Sequence, residues 1–293
     1  MDTIEIMSRN IFMCASDLAV ITGHNPYKEK SEITLKYWKK HFKDDYVETK
    51  LFMKNNNINE KIEETHMGCI ERISKENNID LKSVKNDLYK CLGTKNTDNL
   101  QKEKEQLIKK VLDKLPQKHQ EEFKESVNHI TNTQFGIRFE NNGVEIYQQK
   151  TGNSVEKTGK YHKEELFIID NEIDGSMDIW TIGGKVDGIA TDKDGKKIIL
   201  EIKNRVNRLF NTVRDYEKIQ CYAYMYALDI KCIHLAEILK SRKNNNMNIN
   251  EIIFDEEFWH NEIIDNISLF VDDFYEFLND KNRKIELLRS ESS

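Results

Sequence analysis

The sequence lacks the features of a secreted, membrane-spanning or disulfide-bonded protein. Five cysteines, an odd number without metal-site spacing, are typical of a reduced intracellular protein without a disulfide framework. No apolar run approaches the roughly 20 residues needed to cross a bilayer. The N-terminus, MDTIEIMSRN, carries acidic residues early and no apolar block, so no secretory signal is predicted. The cysteines are Cys14, Cys69, Cys91, Cys221 and Cys232.

Several cofactor motifs are also missing. The eight histidines, His119, His129, His162 and His234 among them, form no His-x-His or His-x₃-His pair, which argues against zinc. There is no cysteine grouping for an iron–sulfur cluster and no glycine-rich P-loop for an ATP-driven motor. The net charge of −6 argues mildly against a protein that coats nucleic acid, but an enzyme needs only a positive groove.

The remaining composition predicts a globular protein with large solvated faces, 38% hydrophobic and 33% charged. Its length allows one domain with an insertion or two domains. We predict an N-terminal helical part (1–53), a charged helical insertion (54–130) and an α/β core (131–293). The insertion is interpreted as a peripheral element, either a solvated decoration or a partner-binding arm.

Local patterns predict the elements of each part. Residues 11–23 are expected to form a short helix that begins at Ser16 and stops at Gly23. Asn141 to Gly143 weaken a further helix predicted over 131–150. The other predicted helices are 31–42, 212–228 and 257–280, and the predicted strands are 165–170, 177–190, 197–203, 232–239 and 251–254.

The segment with the strongest chemical signal is GGKVDGIATDKDGKKIILEIKN, residues 183–204. It predicts two strands joined by an Asp-Gly turn, with Asp187 on the first and Glu201 and Lys203 on the second. Because side chains alternate along a strand, Glu201 and Lys203 are expected on one face of an otherwise apolar strand. Buried charges are costly unless they are paired or bind a metal. The alternatives are a turn acid at Asp187 and a surface ion pair between Glu201 and Lys203.

These residue types suit metal-assisted cleavage of a phosphodiester. Mg²⁺ prefers hard oxygen ligands, and Asp187, Glu201 and the carbonyl of Ile202 offer them on adjacent strands. One or two such ions activate a water molecule and relieve charge on the phosphate. The Lys203 ammonium is a point charge that can orient the water or stabilise the transition state.

The segment resembles the active-site signature of the PD-(D/E)xK nuclease superfamily, with Val186 in place of the proline. Three further stretches are similar to YqaJ-like viral recombinases, relatives of the phage lambda exonuclease. They are ASDLAVITGHNPY near the N-terminus, Gly136 to Glu140, and Tyr216 to Met225, which contains Gln220. The resemblance covers roughly 9–30 and 131–280. It implies a restriction-endonuclease-like α/β core, with a central mixed sheet flanked by helices.

The resemblance also implies roles at the catalytic centre. Glu140 would complete the metal-binding acids, directly or through a water molecule, with Glu145 as the rival candidate. Gln220 would lie beside Lys203 and help to place the attacking water. Taken alone, Glu140 and Gln220 are each better explained as ordinary polar residues of a helix.

Four residues are predicted to contact DNA. By resemblance, Ser16 would bind the phosphate of a DNA end through its hydroxyl group and the helix N-terminus, where anions bind well. Arg9 is a weaker candidate for the same phosphate. Arg205 and Arg208 follow the catalytic strand and are unranked candidates for phosphate contacts.

The predicted function is a Mg²⁺-dependent exonuclease, with Mn²⁺ as a substitute. The resemblance implies 5′-to-3′ resection of linear duplex DNA for recombination or repair, with a single-strand annealing protein as partner and a homo-oligomer as a plausible assembly. The alternatives are a structure-selective or restriction-like endonuclease and, in another class, a catalytically silent DNA-binding scaffold. Abundant Lys, Asn and Ile with only two prolines fit an AT-rich genome, so a viral protein in the cytoplasm or nucleus of an infected cell is expected.

Overall fold

The computed structural model describes residues 8–61, 64–170, 176–210, 212–240 and 245–289, and within them not the side chains of residues 140, 141, 240 and 245. The chain is a mixed α/β protein, as predicted, with 56% helix and 22% strand. In chain order the elements are β1 Ser8–Cys14, α1 Ala15–Ile21, α2 Lys30–His41, α3 Lys43–Asn55, α4 His66–Glu76, α5 Leu81–Leu92, α6 Thr97–Leu112, α7 Gln117–Thr151, β2 Ser154–Glu156, β3 His162–Asp170, β4 Met177–Gly184, β5 Gly188–Thr191, β6 Lys197–Arg205, α8 Asp215–Leu228, β7 Cys232–Lys240, β8 Asn245–Ile253, α9 Glu256–Phe258, a π-helix Trp259–Ile264, α10 Asp265–Asn279 and α11 Lys281–Leu288.

The strands form two sheets. A three-stranded sheet has the order β1-β4-β3, and a five-stranded sheet has the order β2-β5-β6-β7-β8. Both are mixed, because β1 pairs with β4 and β6 pairs with β7 in parallel, while the other pairs are antiparallel. The strand predicted over 177–190 is divided into β4 and β5, and residues 185–187 between them connect one sheet to the other.

Strand β6, which carries the predicted residues Glu201 and Lys203, has both faces covered and lies between two hydrophobic cores. One face carries Ile199, Glu201 and Lys203 and is called here the Glu201 face. The opposite face carries Leu200 and Ile202 and is called the Leu200 face. Helix α8 and the N-terminal helices pack in the core on the Glu201 face. Helix α7 packs against the Leu200 face through Val144 and Tyr147.

The prediction of a helix over 11–23 was wrong for its first part. Ile11 and Met13 are fully buried and alternate with more exposed neighbours, which is the period of a strand. Seven residue pairs link β1 to β4 in parallel, and this long-range pairing outweighs the local helical pattern. The helix begins only at Ala15, with Cys14 at its N-cap, so Ser16 is its second residue.

Helices α4, α5, α6 and the N-terminal half of α7 form a helical unit, residues 66–139, with a hydrophobic core of its own. The boundary predicted at residue 130 lies inside α7, which is one continuous helix of 35 residues. Gly143, predicted to weaken this helix, lies where α7 approaches the sheet most closely. A Cβ atom there would lie 2.7 Å from Ile202 Cγ2 and 2.9 Å from Ile238 Cδ1.

The rest of the chain closes the main core. The helix predicted over 257–280 is formed by α9, the π-helix and α10, and α11 follows it. Trp38, Trp180 and Trp259 are each buried in this core. Among the helices in the described ranges, none combines the length and the apolar character needed to span a membrane.

Candidate active site

Asp187 and Glu201 meet where β5 begins. In the antiparallel β5–β6 hairpin, Gly188 pairs with Leu200, which places Asp187 beside Glu201. Oδ2 of Asp187 accepts a hydrogen bond from the backbone N–H of Ile202, with a donor–acceptor distance of 2.6 Å. Asp187 is therefore held against the backbone of Ile202, the residue between Glu201 and Lys203.

Glu201, Lys203 and Gln220 form one polar chain on the Glu201 face. The Lys203 ammonium donates to Oε1 of Glu201 at 2.8 Å and to Oε1 of Gln220 at 2.9 Å. The amide nitrogen of Gln220 then donates to the hydroxyl of Tyr224 at 3.0 Å, one turn further along α8. The sequence did not identify Tyr224 as a site residue, although its spacing of four residues from Gln220 is a signal for contact on a helix.

Burial and charge act in opposite directions on Lys203. Burial by itself lowers the pKa of the ammonium, but the attraction and hydrogen bond of Glu201 outweigh it, so the pKa of Lys203 is raised. Burial, reinforced by the charge of Glu201, raises the pKa of Tyr224 well above its ordinary range. At neutral pH the centre therefore holds a charged lysine and a neutral tyrosine.

The donor set suits a hard divalent ion. Asp187 and Glu201 offer carboxylates from adjacent strands, and the carbonyl of Ile202 lies between Glu201 and Lys203 in the chain. Glu201 is 6% exposed, so its charge is removed from water and is balanced by the Lys203 ammonium. Lys203 donates a hydrogen bond to Oε1 of Glu201, so Oε2 of Glu201 is the oxygen atom that could bind a metal ion.

Arg205 lies in a buried network that the sequence did not predict. Its guanidinium donates to both oxygens of Glu217 at 2.7 Å and, through Nε, to Oε1 of Glu237 at 2.6 Å. Glu217 and Glu237 are 3% and 1% exposed. Because every guanidinium nitrogen already donates to a carboxylate, this geometry favours a structural role for Arg205 over a phosphate contact. Residues 32 positions apart, as Arg205 and Glu237 are, leave no local signal in the sequence.

The other three predicted DNA contacts lie in different places. Arg208 is exposed just after the catalytic strand. Ser16 is also exposed, and its hydroxyl donates to the thiol of Cys14 at 3.3 Å. Arg9 instead pairs with the buried Asp178 at 3.2 Å, and five residues of extended strand, roughly 16 Å, separate it from Cys14. Arg9 and Ser16 are therefore not brought together at one phosphate.

A basic depression lies next to Cys14, at the entrance to α1. It is lined by the aromatic rings of Phe12 and Tyr161 and by three lysines, Lys36, Lys40 and Lys163. Lys36 is paired with Asp17. Cations interleaved with aromatic rings are the surface that a nucleic-acid strand requires.

The side chain of Glu140 lies outside the described residues, so its predicted role stays a prediction. Its backbone belongs to α7, between two points of contact with β6. The carbonyl of Gly136 accepts a hydrogen bond from Asn204 at 3.1 Å, and Gly143 lies against Ile202. The rival acid, Glu145, is exposed on the same helix.

Among solved structures the chain is similar to an alkaline exonuclease, LHK-Exo, from Laribacter hongkongensis. The identity is 17%, with 67% of this chain and 89% of that chain covered and a TM-score of 0.36. A structure of LHK-Exo in complex with dAMP has 15% identity, covers 66% and 87% of the two chains and has a TM-score of 0.35. A structure titled SSO0001 shares 17% identity over 52% and 69%, with a TM-score of 0.32.

The family was identified by the sequence comparison. A search of curated proteins finds no match to this chain. The family described as the YqaJ-like viral recombinase domain matches residues 7–234. This range runs from β1 to the first strand residues of β7 and includes Ser16, Asp187, Glu201, Lys203 and Gln220. Since the match spans well over half of the sequence, the chain belongs to the YqaJ-like viral recombinase family.

Proposed function

We propose that this protein is a Mg²⁺-dependent exonuclease that resects linear duplex DNA from its ends in the 5′-to-3′ direction. Membership of the family makes the protein a nuclease, a hydrolase that acts on DNA. The metal, the polarity and the product, a single strand for an annealing partner, are the parts that we propose. The proposed setting is viral DNA recombination or repair inside an infected cell.

The observation that carries the proposal is the position of Lys203 between two polar partners. Its ammonium contacts Glu201 and Gln220, while Asp187 is fixed on the amide of the intervening residue. An ammonium that is attracted by Glu201 stays protonated, so Lys203 is suited to orient water and balance phosphate charge rather than to accept a proton. Gln220, held by Tyr224, fixes the direction in which that ammonium points.

Asp187, Glu201, the Ile202 carbonyl and Glu140 are proposed to hold the metal. A bound Mg²⁺ would supply Lewis-acid activation of water and of the phosphate. Asp187 and Glu201 would position it, and because carboxylate, carbonyl and water ligands suit both Mg²⁺ and Mn²⁺, Mn²⁺ is proposed as a substitute.

The proposed DNA path runs over Ser16 and Arg208 and past the basic depression. Ser16 is exposed beside Cys14, which also lines that depression. Cys14 pairs with Gly183 of β4, and the next residue, Gly184, lies against the ring of Tyr224, so the depression and the lysine centre are neighbours. A strand end that enters at Ser16 therefore lies close to Lys203.

Digestion of labelled DNA tests the proposal. Linear duplex labelled at either the 5′ or the 3′ end, and a closed circle, are incubated with and without Mg²⁺, and products are followed in time. We expect early release of the 5′ label, a persistent 3′ label and an intact circle. Cleavage of the circle would indicate the endonuclease, and binding without any hydrolysis would indicate the silent scaffold.

Matched variants test the centre itself. Asp187→Asn, Glu201→Gln and Lys203→Met are each expected to lower the rate at least about 100-fold, the usual cost of losing one group that stabilises the transition state. Asp194→Asn and Lys197→Met, exposed on the same hairpin, are the controls and should leave the rate unchanged. Glu140→Gln is expected to behave like Glu201→Gln, whereas Glu145→Gln should behave like the controls. Full activity of Lys203→Met would contradict the proposed role.

A further inference from the structure

A thiol, an imidazole and a carboxylate come together on the Leu200 face of the five-stranded sheet. Cys232 and His234 are two residues apart on β7, so both point to this face. Glu251 is the direct partner of His234 on the antiparallel strand β8. One ligand atom from each of the three residues lies within 4.8 Å of the other two.

The distances fit a tetrahedral metal centre. The His234 Nε2 to Glu251 Oε2 distance is 3.3 Å, and the Cys232 Sγ to Glu251 Oε2 distance is 3.7 Å. Zinc bound to sulfur at about 2.3 Å and to nitrogen and oxygen at about 2.0 Å gives tetrahedral edges of roughly 3.3 Å (N to O) and roughly 3.5 Å (S to O). The two distances to Glu251 therefore match the edges of a zinc site before any ion is added, and the Cys232 and His234 ligand atoms lie within 4.8 Å of each other.

The imidazole of His234 is held from its other side. Its Nδ1 atom lies 2.7 Å from the hydroxyl of Tyr147, a fully buried residue of α7. Asn153 donates to the same hydroxyl at 3.2 Å. A hydroxyl that accepts from Nδ1–H fixes the tautomer in which Nε2 presents its lone pair toward Glu251. Outer hydrogen bonds of this kind orient the histidine ligands of metal sites.

A second cluster, made of one thiol and two carboxylates, already has a side-chain cation. Glu64, Cys69 and Glu122 also approach one another, but Arg72 donates to both carboxylates there and supplies the cation. At the first cluster the exposed Lys196 acts on the thiol alone, through its charge and a hydrogen bond. Burial raises the pKa of the Cys232 thiol, Lys196 opposes this effect and Glu251 adds to it.

We infer that Cys232, His234 and Glu251 bind one zinc-class divalent ion, with water as the fourth ligand. A thiolate and an imidazole select a softer ion than Mg²⁺, so this site and the proposed nuclease centre take different metals. The two sites lie on opposite faces of the sheet, since Leu200 pairs with His234 and Glu201 pairs with Leu235. A bound ion would tie β7 and β8 to α7 through Tyr147. The lack of His-x-His pairs does not bear on this cluster, because its ligands are of three types.

Cobalt binding tests the site without relying on nuclease activity. The full chain carrying Asp187→Asn and Glu201→Gln, which removes the proposed Mg²⁺ ligands, is titrated with Co²⁺. We expect one ion per chain and a thiolate-to-cobalt charge-transfer band. Competition with Zn²⁺ should abolish the band and raise the melting temperature.

Three variants in the same background assign the ligands. Cys232→Ser is expected to lose the charge-transfer band, and His234→Gln and Glu251→Gln are expected to weaken binding by at least about 10-fold. His260→Gln, an exposed imidazole on the π-helix, is the control and should bind like the parent. If Cys232→Ser does not fold, Glu251→Gln provides the test, because Glu251 is half-exposed and its substitution should not disturb the fold. A missing thiolate band at saturating Co²⁺, or equal affinity in Glu251→Gln, would overturn the inference.

Discussion

At the residue scale, two arginines three positions apart have opposite environments. Arg205 is buried between Glu217 and Glu237, whereas Arg208 is exposed. Arg205→Ala is expected to destabilise the fold by about 3 to 5 kcal/mol, because it leaves two buried carboxylates without their cation. Arg208→Ala should change stability by no more than about 0.5 kcal/mol. Urea unfolding measures both.

Arg205 and Arg208 also allow a role in stability to be distinguished from a role in DNA binding. If Arg208 contacts a phosphate, its loss lowers DNA affinity and reduces the salt dependence of binding by about one charge. Arg205→Lys keeps a cation but not the geometry that reaches both carboxylates, so it should rescue little of the lost stability. Equal salt dependence in Arg208→Ala and the wild type would remove Arg208 from the interface.

His41 makes the fold sensitive to mild acid. Burial, with the nearby charges of Lys40 and Arg9, lowers the pKa of this imidazole to about 4, and its Nε2 atom has no hydrogen-bond partner in the described part of the chain. In the unfolded chain the imidazole takes up a proton at about pH 6.5, whereas in the folded chain it does so only near pH 4. The folded state is therefore fully stable with respect to this group above pH 6.5, and it loses stability as the pH falls from about 6.5 toward 4. Between pH 7 and pH 5 we expect a loss of at most about 2 kcal/mol, because His41 is partly exposed and solvent reduces the effect.

His41→Phe removes this titration and keeps the aromatic contact with Tyr37. The variant should therefore be less sensitive to acid than the wild type when urea unfolding is measured at pH 7, 6 and 5. His260→Gln, at an exposed position, should follow the wild type at each pH. A parallel fall in the stability of His41→Phe and the wild type would show that other groups cause the acid sensitivity.

At the scale of elements, β4 meets α8 at Gly184, which lies against a tyrosine of the proposed active site. A Cβ atom at Gly184 would lie 2.8 Å from the Tyr224 ring, whose hydroxyl holds Gln220. Gly184→Ala should cost about 1 to 3 kcal/mol of stability by overpacking, and it should lower the digestion rate by displacing Tyr224. Gly136→Ala, with open space around its Cβ position, should instead be neutral or stabilising by up to about 1 kcal/mol. Unchanged digestion by Gly184→Ala would show that Tyr224 does not support the lysine centre.

Sequence patterns predicted the elements whose signal is local. Alternation along β6 placed Glu201 and Lys203 on one face, and the Asp-Gly turn predicted the hairpin that joins β5 to β6. The strand β1 was missed because its apolar residues run on into α1 and its partner, β4, lies more than 160 residues away. The network of Arg205, Glu217 and Glu237 was missed for the same reason, since it depends on the pairing of β6 with β7. Both β1 and the arginine network depend on long-range strand pairing rather than on local propensity.

At the scale of the whole molecule, α7 joins two hydrophobic cores. Phe123 and Val127 lie in the core of the helical unit, and Val144 and Tyr147 of the same helix lie on the Leu200 face. Val206, just after the catalytic strand, packs against the core of the helical unit. Gln101 of the unit also donates a hydrogen bond to Asn207. A helix shared by two cores makes their unfolding cooperative, so we expect one transition for the molecule.

The three tryptophans allow this coupling to be measured. Trp38, Trp180 and Trp259 are all buried in the main core, so tryptophan fluorescence reports on that core, whereas far-ultraviolet circular dichroism reports on all helices. Phe123→Ala, in the helical unit, should destabilise by about 3 to 5 kcal/mol and shift both signals together. Tyr89→Ala, an exposed position of the same unit, should shift neither. If Phe123→Ala moved the circular dichroism transition and left the fluorescence transition in place, the helical unit would be an independently folding insertion.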